Sequence, residues 1–482
     1  MKKVKRIVTL ALASLMSIAL FAGCSADKKE SLKTEEADFV VVGGGAAGLM
    51  SALELGGNGK VVLLEKMPAL GGTTIRSKGY LWSVDSKINK EANVGLSGEE
   101  LTKFYKDMAG EENFNDELFK KMVEVSGSTV DELVELGIPF SKTNFAGGTP
   151  NYPELQTLTV EGEGPALISA FNKLLKERNV EIRMESSAEE LIIENGEVKG
   201  VVVKKGDEKY NLKSQKVILS TGGFTRNEDM MDQYNNEFIN NIPFSGVGST
   251  GDGILMAEKA GAQLIGDGVL GIWGMNEKYG YVGDIGSLVR QTAFYINKDG
   301  NRFVNEKRYY AEVHNELNKL EDKHAYGLLD SRDEKLVENL EKGVSEGLVV
   351  KANTIEELAD LLKVNKDNLV GTVNKYNEAF NSGNDAEFGL KNKQMTPMLK
   401  APFYAYDVKP TIIGTIKGVK VNISKVEILD SKDTAGISDA AIEKLPEMIV
   451  SKNSPEVDSI SGATSTSDAI KEAVTEALKQ AK

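Results

Sequence analysis

The sequence predicts an α/β fold that begins with a parallel sheet, receives an inserted α+β segment and ends with a small α+β domain. A glycine-rich turn at residues 43–48 separates the apolar run 39–42 from a helix and a second apolar run that ends at Glu65. Both runs are continuous, as in parallel strands covered on both faces. Strand patterns return over residues 189–219, and residues 244–373 mix helical and hairpin patterns. The first elements therefore predict a βαβ unit.

The first residues have the pattern of an export signal. A basic stretch at residues 2–6 precedes an apolar stretch that is too short to span a membrane comfortably. It ends in a segment that resembles a bacterial lipobox, which implies a lipoprotein signal peptide at residues 1–23 and a lipid on Cys24. Residues 24–36 are polar and charged and predict a flexible tether. We therefore expect an extracytoplasmic protein anchored to the cell membrane by lipid; an ordinary cleaved signal is the alternative.

Composition narrows the partners and cofactors. The chain of 482 residues has 58 Lys and Arg against 72 Asp and Glu, a formal net charge of −14, so we expect no binding to nucleic acid or anionic head groups. Cys24 is the only cysteine, which excludes an intrachain disulfide, a Cys-x-x-Cys-His haem attachment and an iron–sulfur cluster. With two histidines, no imidazole-rich metal site is expected.

Local signals support the elements that follow the βαβ unit. Ser97 and Glu100 have the spacing of a capping box ahead of an apolar helical pattern. Asn195 and Gly196 lie between two strand patterns, and this residue pair is typical of a tight hairpin turn.

The glycine-rich turn has the spacing of a dinucleotide site. Gly43 permits the tight turn, Gly45 lets the backbone approach a pyrophosphate, and Gly48 lets helix and strand pack closely. The N-terminus of the helix that follows, through residues 49–53, would supply amide donors and a partial positive charge. Ala46 in the turn is also expected to bind the cofactor. Glu65 closes the second strand, where a carboxylate can bind the ribose hydroxyls of adenosine. A turn that only packs is the alternative.

Further segments favour flavin over nicotinamide. They lie, in chain order, at residues 71–74, 220–224, 250–253, 300–306, 372–377 and 401–405. Over residues 37–422 they resemble the FAD-binding segments of the fumarate reductase and succinate dehydrogenase flavoprotein family. The resemblance implies a Rossmann-like FAD-binding domain with an inserted α+β capping domain. The residues that would hold FAD without a covalent bond, besides the turn and Glu65, are Gly72, Thr73, Thr74, Gly222, Gly223 and Asp252.

The segment at residues 458–464 resembles the acceptor sequence of FMN-binding domains. In those domains a flavin transferase joins the FMN phosphate to the last threonine, which implies covalent FMN at Thr464. Thr466 is the less favoured acceptor, and a Ser/Thr-rich helix cap is the alternative interpretation.

The resemblance also sets the expected domain boundaries. The FAD-binding domain is expected at residues 37–243 and 374–422, the capping domain at 244–373, and a small α+β FMN-binding domain at 423–482. The closing strand and glycine-rich stretch of the family do not follow Gly418. We therefore expect both flavin modules to be shortened where they meet.

The active-site residues of the family match only in part. The proton-donating Arg of the family lies four residues after the position of Glu306, and Tyr310 stands there, as in flavin enzymes that act on 3-ketosteroids. A phenol can donate or remove a proton beside a flavin; a Tyr310 that only packs is the alternative. Arg308 is the second candidate donor, unless it is a surface arginine, and Arg290 aligns with the proton relay of the family. Gly414 replaces a substrate-binding His, so fumarate is not expected.

The resemblance implies a reductase that passes electrons from a membrane donor through FMN and FAD to an activated carbon–carbon double bond in anaerobic respiration. Enones or aryl acrylates fit the altered site better than fumarate. The alternative is a non-enzymatic flavinylated electron-transfer lipoprotein with a vestigial FAD lobe. A solute-binding lipoprotein, which would hold no flavin, is a third interpretation.

Overall fold

The structure of the chain is a computed structural model that describes residues 32–110, 114–146, 155–275, 292–420 and 439–452, with residues 454, 457–459, 467, 470, 471, 474 and 475 beyond them. Three predicted site residues, Cys24, Arg290 and Thr464, lie outside the described residues. Within these ranges no helix is both long and apolar enough to cross a membrane.

The first sheet has six strands. In chain order they are β1 (Lys33–Val42), β2 (Val61–Leu64), β6 (Glu181–Arg183), β7 (Ser186–Glu194), β8 (Glu197–Lys205) and β9 (Glu208–Leu219). Their order in the sheet is β6-β2-β1-β9-β8-β7. Strands β6, β2, β1 and β9 are parallel to one another. Strands β8 and β7 form a hairpin that pairs antiparallel with β9 through β8. Asn195 and Gly196 both have positive φ at the turn of this hairpin, which confirms the predicted tight turn.

Strand β1 begins earlier than the sequence predicts. Its first residues pair with β9 in a register that runs from Lys33 opposite Tyr210 to Ala37 opposite Ser214. The predicted tether at residues 24–36 was therefore wrong at its carboxyl end, because residues 33–36 extend the sheet. The misleading signal was their charge, which suits an exposed strand end as well as a tether.

Helix α1 (Ala46–Leu55) crosses from β1 to β2 and covers one face of the sheet. A Cβ at Gly48 would overlap the carbonyl oxygen of Gly43, so the helix approaches the turn as closely as a glycine allows. Leu49 and Leu53 on α1 are fully buried with Val41 of β1. The burial of these apolar side chains is the main contribution that stabilises the βαβ unit.

A helical layer and a small sheet follow β2. The elements are β3 (Tyr80–Leu81), α2 (Lys87–Ala92), α3 (Gly98–Ala109), α4 (Asp116–Glu135), β4 (Phe140–Ala146), β5 (Thr157–Val160) and α5 (Glu163–Glu177). The predicted capping box is confirmed at the start of α3. The Glu100 amide donates to the Ser97 hydroxyl at 3.3 Å, and the Ser97 amide donates to the Glu100 carboxylate at 3.0 Å.

The second sheet is built around one long strand, β16. In chain order the remaining elements are α6 (Glu228–Asn235), β10 (Ile242–Pro243), α7 (Asp252–Lys259), β11 (Leu264–Ile265), β12 (Val269–Met275), β13 (Phe294–Ile296), α8 (Tyr310–Asn318), β14 (Ala325–Asp330), α9 (Glu334–Ser345), β15 (Val349–Ala352), α10 (Ile355–Leu362), α11 (Lys366–Ser382), β16 (Phe403–Thr415), β17 (Gly418–Val419) and α12 (Asp439–Lys452). Strand β16 pairs with β10, β12, β14 and β15.

The capping layer does not end at residue 373. Helix α11 runs through that position without a break, and Val373 and Tyr376 are buried in the same apolar cluster. Strand β16, which the sequence assigns to the second part of the FAD-binding domain, pairs with strands of the capping layer. The two predicted segments are therefore one packed unit in the structure.

A buried ionic network fixes the loop that leads into α8. The Arg302 guanidinium donates to Glu306 Oε2 at 2.9 Å from Nη2 and to Asp385 Oδ2 at 2.7 Å from Nη1. All three side chains are at most 4% exposed. The hydroxyl of Tyr376 adds a bond of 3.2 Å to Glu306 Oε1. Such a network holds its loop because removing one member leaves another charge buried without a partner.

Replacing Arg302 by Met should lower the free energy of unfolding by about 3–5 kcal/mol, because Glu306 and Asp385 would stay buried without their cation. Urea denaturation followed by circular dichroism measures this loss. The control is Lys298→Met, which removes an exposed cation paired with Glu321 and should leave the midpoint unchanged. Equal midpoints for the two variants would contradict the role of the network.

Candidate active site

A cleft of about 470 Å³ opens at the carboxyl ends of β1, β2 and β9. This is the edge of a parallel sheet at which α/β proteins bind nucleotides. Its walls are residues 42–47, 64–70, 72–75, 186–188, 220–222, 247–249 and 252. All of the predicted FAD-binding residues line it except Gly48 and Gly223, which lie behind the wall.

The glycines of the turn have different tasks. Gly43 and Gly48 are required by packing, because a Cβ on either would overlap backbone oxygen atoms of Ser220 or Gly43. A Cβ on Gly45 would meet nothing within 4 Å, although this residue lines the cleft at the N-terminus of α1. The protein thus leaves space where a pyrophosphate would lie beside the positive end of a helix. The geometry fits the cofactor that the sequence predicts.

Glu65 is buried at the end of β2, and its carboxylate faces the turn. Its Oε2 accepts from the Gly44 amide at 2.8 Å, and its Oε1 accepts from the Met67 amide at 2.8 Å. The side chain therefore holds the two loops that flank the cleft. Each carboxylate oxygen can accept a further bond, so the predicted contact with a ribose is compatible with this position.

Thr73 and Thr74 orient the opposite wall. The Thr74 hydroxyl accepts from the Ala46 amide at 3.1 Å, and the Thr73 hydroxyl accepts from the Gly246 amide at 3.0 Å. Gly72 approaches the turn closely, since a Cβ on it would lie 3.6 Å from Gly45 Cα. Residues 73 and 74 of the predicted segment therefore bond both the glycine-rich turn and the segment around Gly246.

Lys66 is a cleft residue that the sequence analysis missed. Its Nζ contacts Asp252 Oδ2 at 2.6 Å and also bonds the Thr250 hydroxyl. Asp252, the predicted partner of the ribityl chain, is thus paired inside the cleft, and its Oδ1 accepts from Thr250 at 2.6 Å. The position of Lys66 directly after Glu65 was the available signal. Gly222 lines the same cleft, whereas Gly223 packs tightly against Thr415.

Tyr309 and Tyr310 lie against each other at the start of α8, with their ring planes tilted by 34°. The Tyr309 hydroxyl donates to the Tyr310 hydroxyl at 2.6 Å, and the ring centroids are 4.0 Å apart. Burial raises the pKa of Tyr309, and the adjacent Tyr310 raises it further. Tyr310 and Ile413 pack against the buried pair formed by Phe244 and Ile272, so Tyr310 lies beside the segment that continues into the cleft wall. Tyr309 was missed because nothing in its local sequence distinguishes it from a packing residue.

Arg308 lies on the other side of the loop. Its side chain is 53% exposed, and its Nη1 contacts Glu312 Oε1 at 3.1 Å, four residues along the chain. The structure therefore places Tyr310, and not Arg308, against Phe244. No group of His, Cys, Asp and Glu in the described ranges could hold a metal ion.

Known proteins resemble the chain in both flavin modules. The family model described as FAD binding domain matches residues 38–435, and the model described as FMN-binding domain matches residues 409–479. Both matches confirm the resemblance that the motifs predict. The chain therefore carries an FAD-binding and an FMN-binding domain.

Individual relatives are distant. NADH:fumarate oxidoreductase of Klebsiella pneumoniae (strain 342) is 26% identical over 389 residues, which cover 80% of this chain and 42% of the relative. Urocanate reductase of Eggerthella lenta is 29% identical over 420 residues, covering 83% and 68%. The open conformation of a flavocytochrome c3 fumarate reductase superposes with a TM-score of 0.65 at 26% identity, covering 88% of this chain and 74% of that one. The α/β fold with a capping layer is thereby confirmed.

Replacing Gly45 by Val should leave the fold intact but abolish FAD binding, because the side chain would enter the open cleft and the backbone there is extended. The FAD released by acid precipitation, per mole of chain, measures the loss. Gly48→Val is the contrasting variant and should destabilise the fold itself, which thermal unfolding detects. A Gly45→Val protein that still holds stoichiometric FAD would contradict the assignment of the cleft.

Proposed function

We propose that this chain, which belongs to the FAD-binding domain family over residues 38–435, is a flavin-dependent reductase of activated carbon–carbon double bonds. The observation that carries the proposal is the position of Tyr310. Tyr310 packs against the buried pair formed by Phe244 and Ile272, and residues 247–249, a short distance along the chain from Phe244, line the FAD cleft. A phenol hydroxyl is thus held near the cofactor site, where a proton must be delivered after hydride transfer.

The residues of the cleft are suited to hold FAD. The turn around Gly45 leaves room for the pyrophosphate, Glu65 faces the adenosine end, and the pair formed by Lys66 and Asp252 lies in the same wall. When bound, FAD supplies hydride transfer and FMN supplies single-electron transfer. The protein then has to position the alkene, exclude water and deliver one proton.

Tyr310 is the proposed proton donor, and Tyr309 supports it. Because the Tyr309 hydroxyl donates to the Tyr310 oxygen, it stabilises the negative charge that forms when Tyr310 gives up its proton. The raised pKa of Tyr309 keeps it in the donating form. The aromatic cluster of Tyr309 with Phe104 and Tyr105 keeps water from one side of this pair.

The acceptor is proposed to be larger than fumarate. The relatives named above are called a fumarate oxidoreductase and a urocanate reductase, and both names refer to conjugated alkenes. At Gly414, where the resemblance places a substrate-binding His, an added Cβ would meet nothing within 4 Å. The space of that side chain is open, which favours a bulkier acceptor such as an enone or an aryl acrylate.

The remaining parts of the proposal rest on the sequence. FMN is proposed to be attached covalently to Thr464 by a flavin transferase and to carry electrons from a membrane donor to FAD. The protein is proposed to be extracytoplasmic and held at the membrane by a lipid on Cys24. The chain spans 42% of the Klebsiella relative, so the electron donor of that relative is not transferred to it.

Replacing Tyr310 by Phe should lower the turnover of an accepted alkene about 10²- to 10⁴-fold, because the general acid is removed. Flavin content should stay unchanged. The assay is anaerobic reoxidation of the chemically reduced protein by a panel of enones and aryl acrylates.

Two controls accompany the Tyr310 variant. Tyr404→Phe removes a phenol bonded to Glu341 in the capping layer, and Arg308→Ala removes the exposed arginine; both should retain turnover. If Arg308→Ala loses as much activity as Tyr310→Phe, or if neither is slowed, the assignment of the proton donor is wrong.

Replacing Thr464 by Val should remove the acid-stable flavin and leave one dissociable FAD, because the acceptor hydroxyl is lost. The protein is coexpressed with a flavin transferase and examined by fluorescence after denaturing electrophoresis. Thr466→Val should keep the covalent flavin. Wild-type protein with one covalent flavin and no dissociable flavin would favour the electron-carrier alternative over the reductase.

A further inference from the structure

Two arginine side chains bracket Phe244, next to the proposed proton donor. The Arg76 guanidinium lies over the Phe244 ring, with Cζ 4.3 Å from the ring centroid. Arg226 Nη2 donates to the carbonyl oxygens of Pro243 at 2.7 Å and Ser245 at 3.1 Å, the residues on either side of Phe244. These two cations come from segments of the chain that are far apart in sequence.

Neither arginine has a carboxylate partner among the described residues. Arg76 contacts the Phe244 ring and Arg226 donates to two backbone carbonyls, while Arg226 Nε is buried without an acceptor in the part of the chain that the structure describes. Burial lowers the pKa of Arg226, and the charge of Arg76 lowers it further. By contrast, Arg302 is buried with two carboxylates, and Arg183 is paired with Glu35 and Glu181.

A pair of cations of this kind is unfavourable without an anion. Like charges repel, and a buried N–H without an acceptor costs free energy. An anionic ligand that received hydrogen bonds from both guanidinium groups would relieve both effects, and planar guanidinium groups match the geometry of a carboxylate. The arrangement is therefore incomplete in a way that a carboxylate would complete.

The position of the pair connects it to the reaction. Arg76 ends the short helix Thr74–Arg76, whose first residue lines the FAD cleft. Phe244, which both arginines contact through its ring or its flanking carbonyls, belongs to the cluster against which Tyr310 packs. Gly246, two residues later, donates to Thr73 at the cleft wall. An anion held by the two arginines would thus lie between the cofactor cleft and the proposed proton donor.

We propose that Arg76 and Arg226 bind the carboxylate of the acceptor, and that the acceptor is an α,β-unsaturated monocarboxylate with an apolar β substituent. This inference rests on the proposed reductase function. Phe244 and Ile413 supply the apolar surface for the substituent. A carboxylate has two oxygen atoms, one for each guanidinium group, so the pair suits one carboxylate.

The reaction is balanced with these residues. A hydride adds to the β carbon, and the π electrons of the double bond move toward the carboxylate, where the two arginines stabilise the added negative charge. Tyr310 gives its proton to the α carbon, and the product is the saturated acid. The two electrons come from reduced FAD, as the proposed function requires.

The test compares a charged and a neutral acceptor of the same shape. Cinnamate and benzalacetone are used to reoxidise the chemically reduced holoprotein under anaerobic conditions. With Arg76→Gln or Arg226→Gln, kcat/KM for cinnamate should fall roughly 10- to 100-fold, the loss expected for a hydrogen bond to a charged group. The value for benzalacetone should change less than about threefold. The control Arg178→Gln removes an arginine bonded to the Leu53 carbonyl and should change neither.

Binding is measured separately from turnover. Calorimetric titration of the oxidised holoprotein with 3-phenylpropanoate, the saturated acid, should give binding that is lost in Arg76→Gln and kept in Arg178→Gln. Equal affinity in wild type and Arg76→Gln would overturn the inference. A loss of bound FAD in Arg76→Gln, with an unchanged kcat/KM for cinnamate per remaining FAD, would also overturn it, because the pair would then serve the cofactor phosphates. Because Arg226→Gln also removes bonds to two carbonyls, Arg76→Gln decides if that variant does not fold.

The two proposals fail in different ways. If wild-type protein that contains both flavins is reoxidised by neither acceptor, the proposed function fails, while the titration still decides whether the arginines bind a carboxylate. If benzalacetone is reduced by all variants and cinnamate by none, the proposed function stands and the arginine site is overturned.

Discussion

Strand β16 is the element on which the geometry of the site depends. Its first half pairs with β14 and β15 of the capping layer, and its second half pairs with β10 and β12. At the end of β16 the Thr415 hydroxyl accepts from the Phe224 amide at 3.3 Å. Phe224 lies two residues after Gly222, which lines the cleft. Ile413 on the same strand packs with Phe244 and Tyr310. One strand thus joins the cofactor cleft, the proposed proton donor and the cap.

The distribution of charge partners separates structural from functional groups. Arg302 and Arg183 each have two carboxylates within 3 Å, so their charges are neutralised within the protein. Arg302 stabilises a loop, and Arg183 links strand β6 to strand β1. Arg76 and Arg226 have no such partner among the described residues, although Arg226 is partly buried. Arg226 holds the carbonyl groups of Pro243 and Ser245, and Arg76 covers the Phe244 ring, so both side chains contribute to folding. These contacts leave the two positive charges uncompensated, and the proposed acceptor carboxylate would supply the missing negative charge.

Features with short-range signals could be predicted from the sequence, whereas those that depend on distant segments could not. The turn at Asn195 and Gly196 and the capping box at Ser97 follow from residues within a few positions of each other. Lys66 meets Asp252 across 186 positions, and a periodic pattern carries no information about such a pair. Arg308 and Tyr310 could not be separated because a shift of two residues at the start of α8 exchanges a surface position for an inner one. The predicted tether extended past residue 32 because polar residues suit an exposed strand edge as well as a linker.

The two family matches share residues 409–435, and the structure shows what part of that stretch does. Residues 409–415 form the second half of β16 and pair with β12, with Thr411 opposite Ile272 and Thr415 opposite Val269. A backbone segment that is hydrogen-bonded in one sheet cannot supply the same groups to another. This strand therefore serves the sheet around the proposed acceptor site, and an FMN-binding domain that used it as an opening strand would have to break those pairs. The predicted shortening of the junction stays a prediction. It agrees with the pairing of residues 409–415, because a strand that this sheet already uses is not available as an opening strand for the FMN-binding domain.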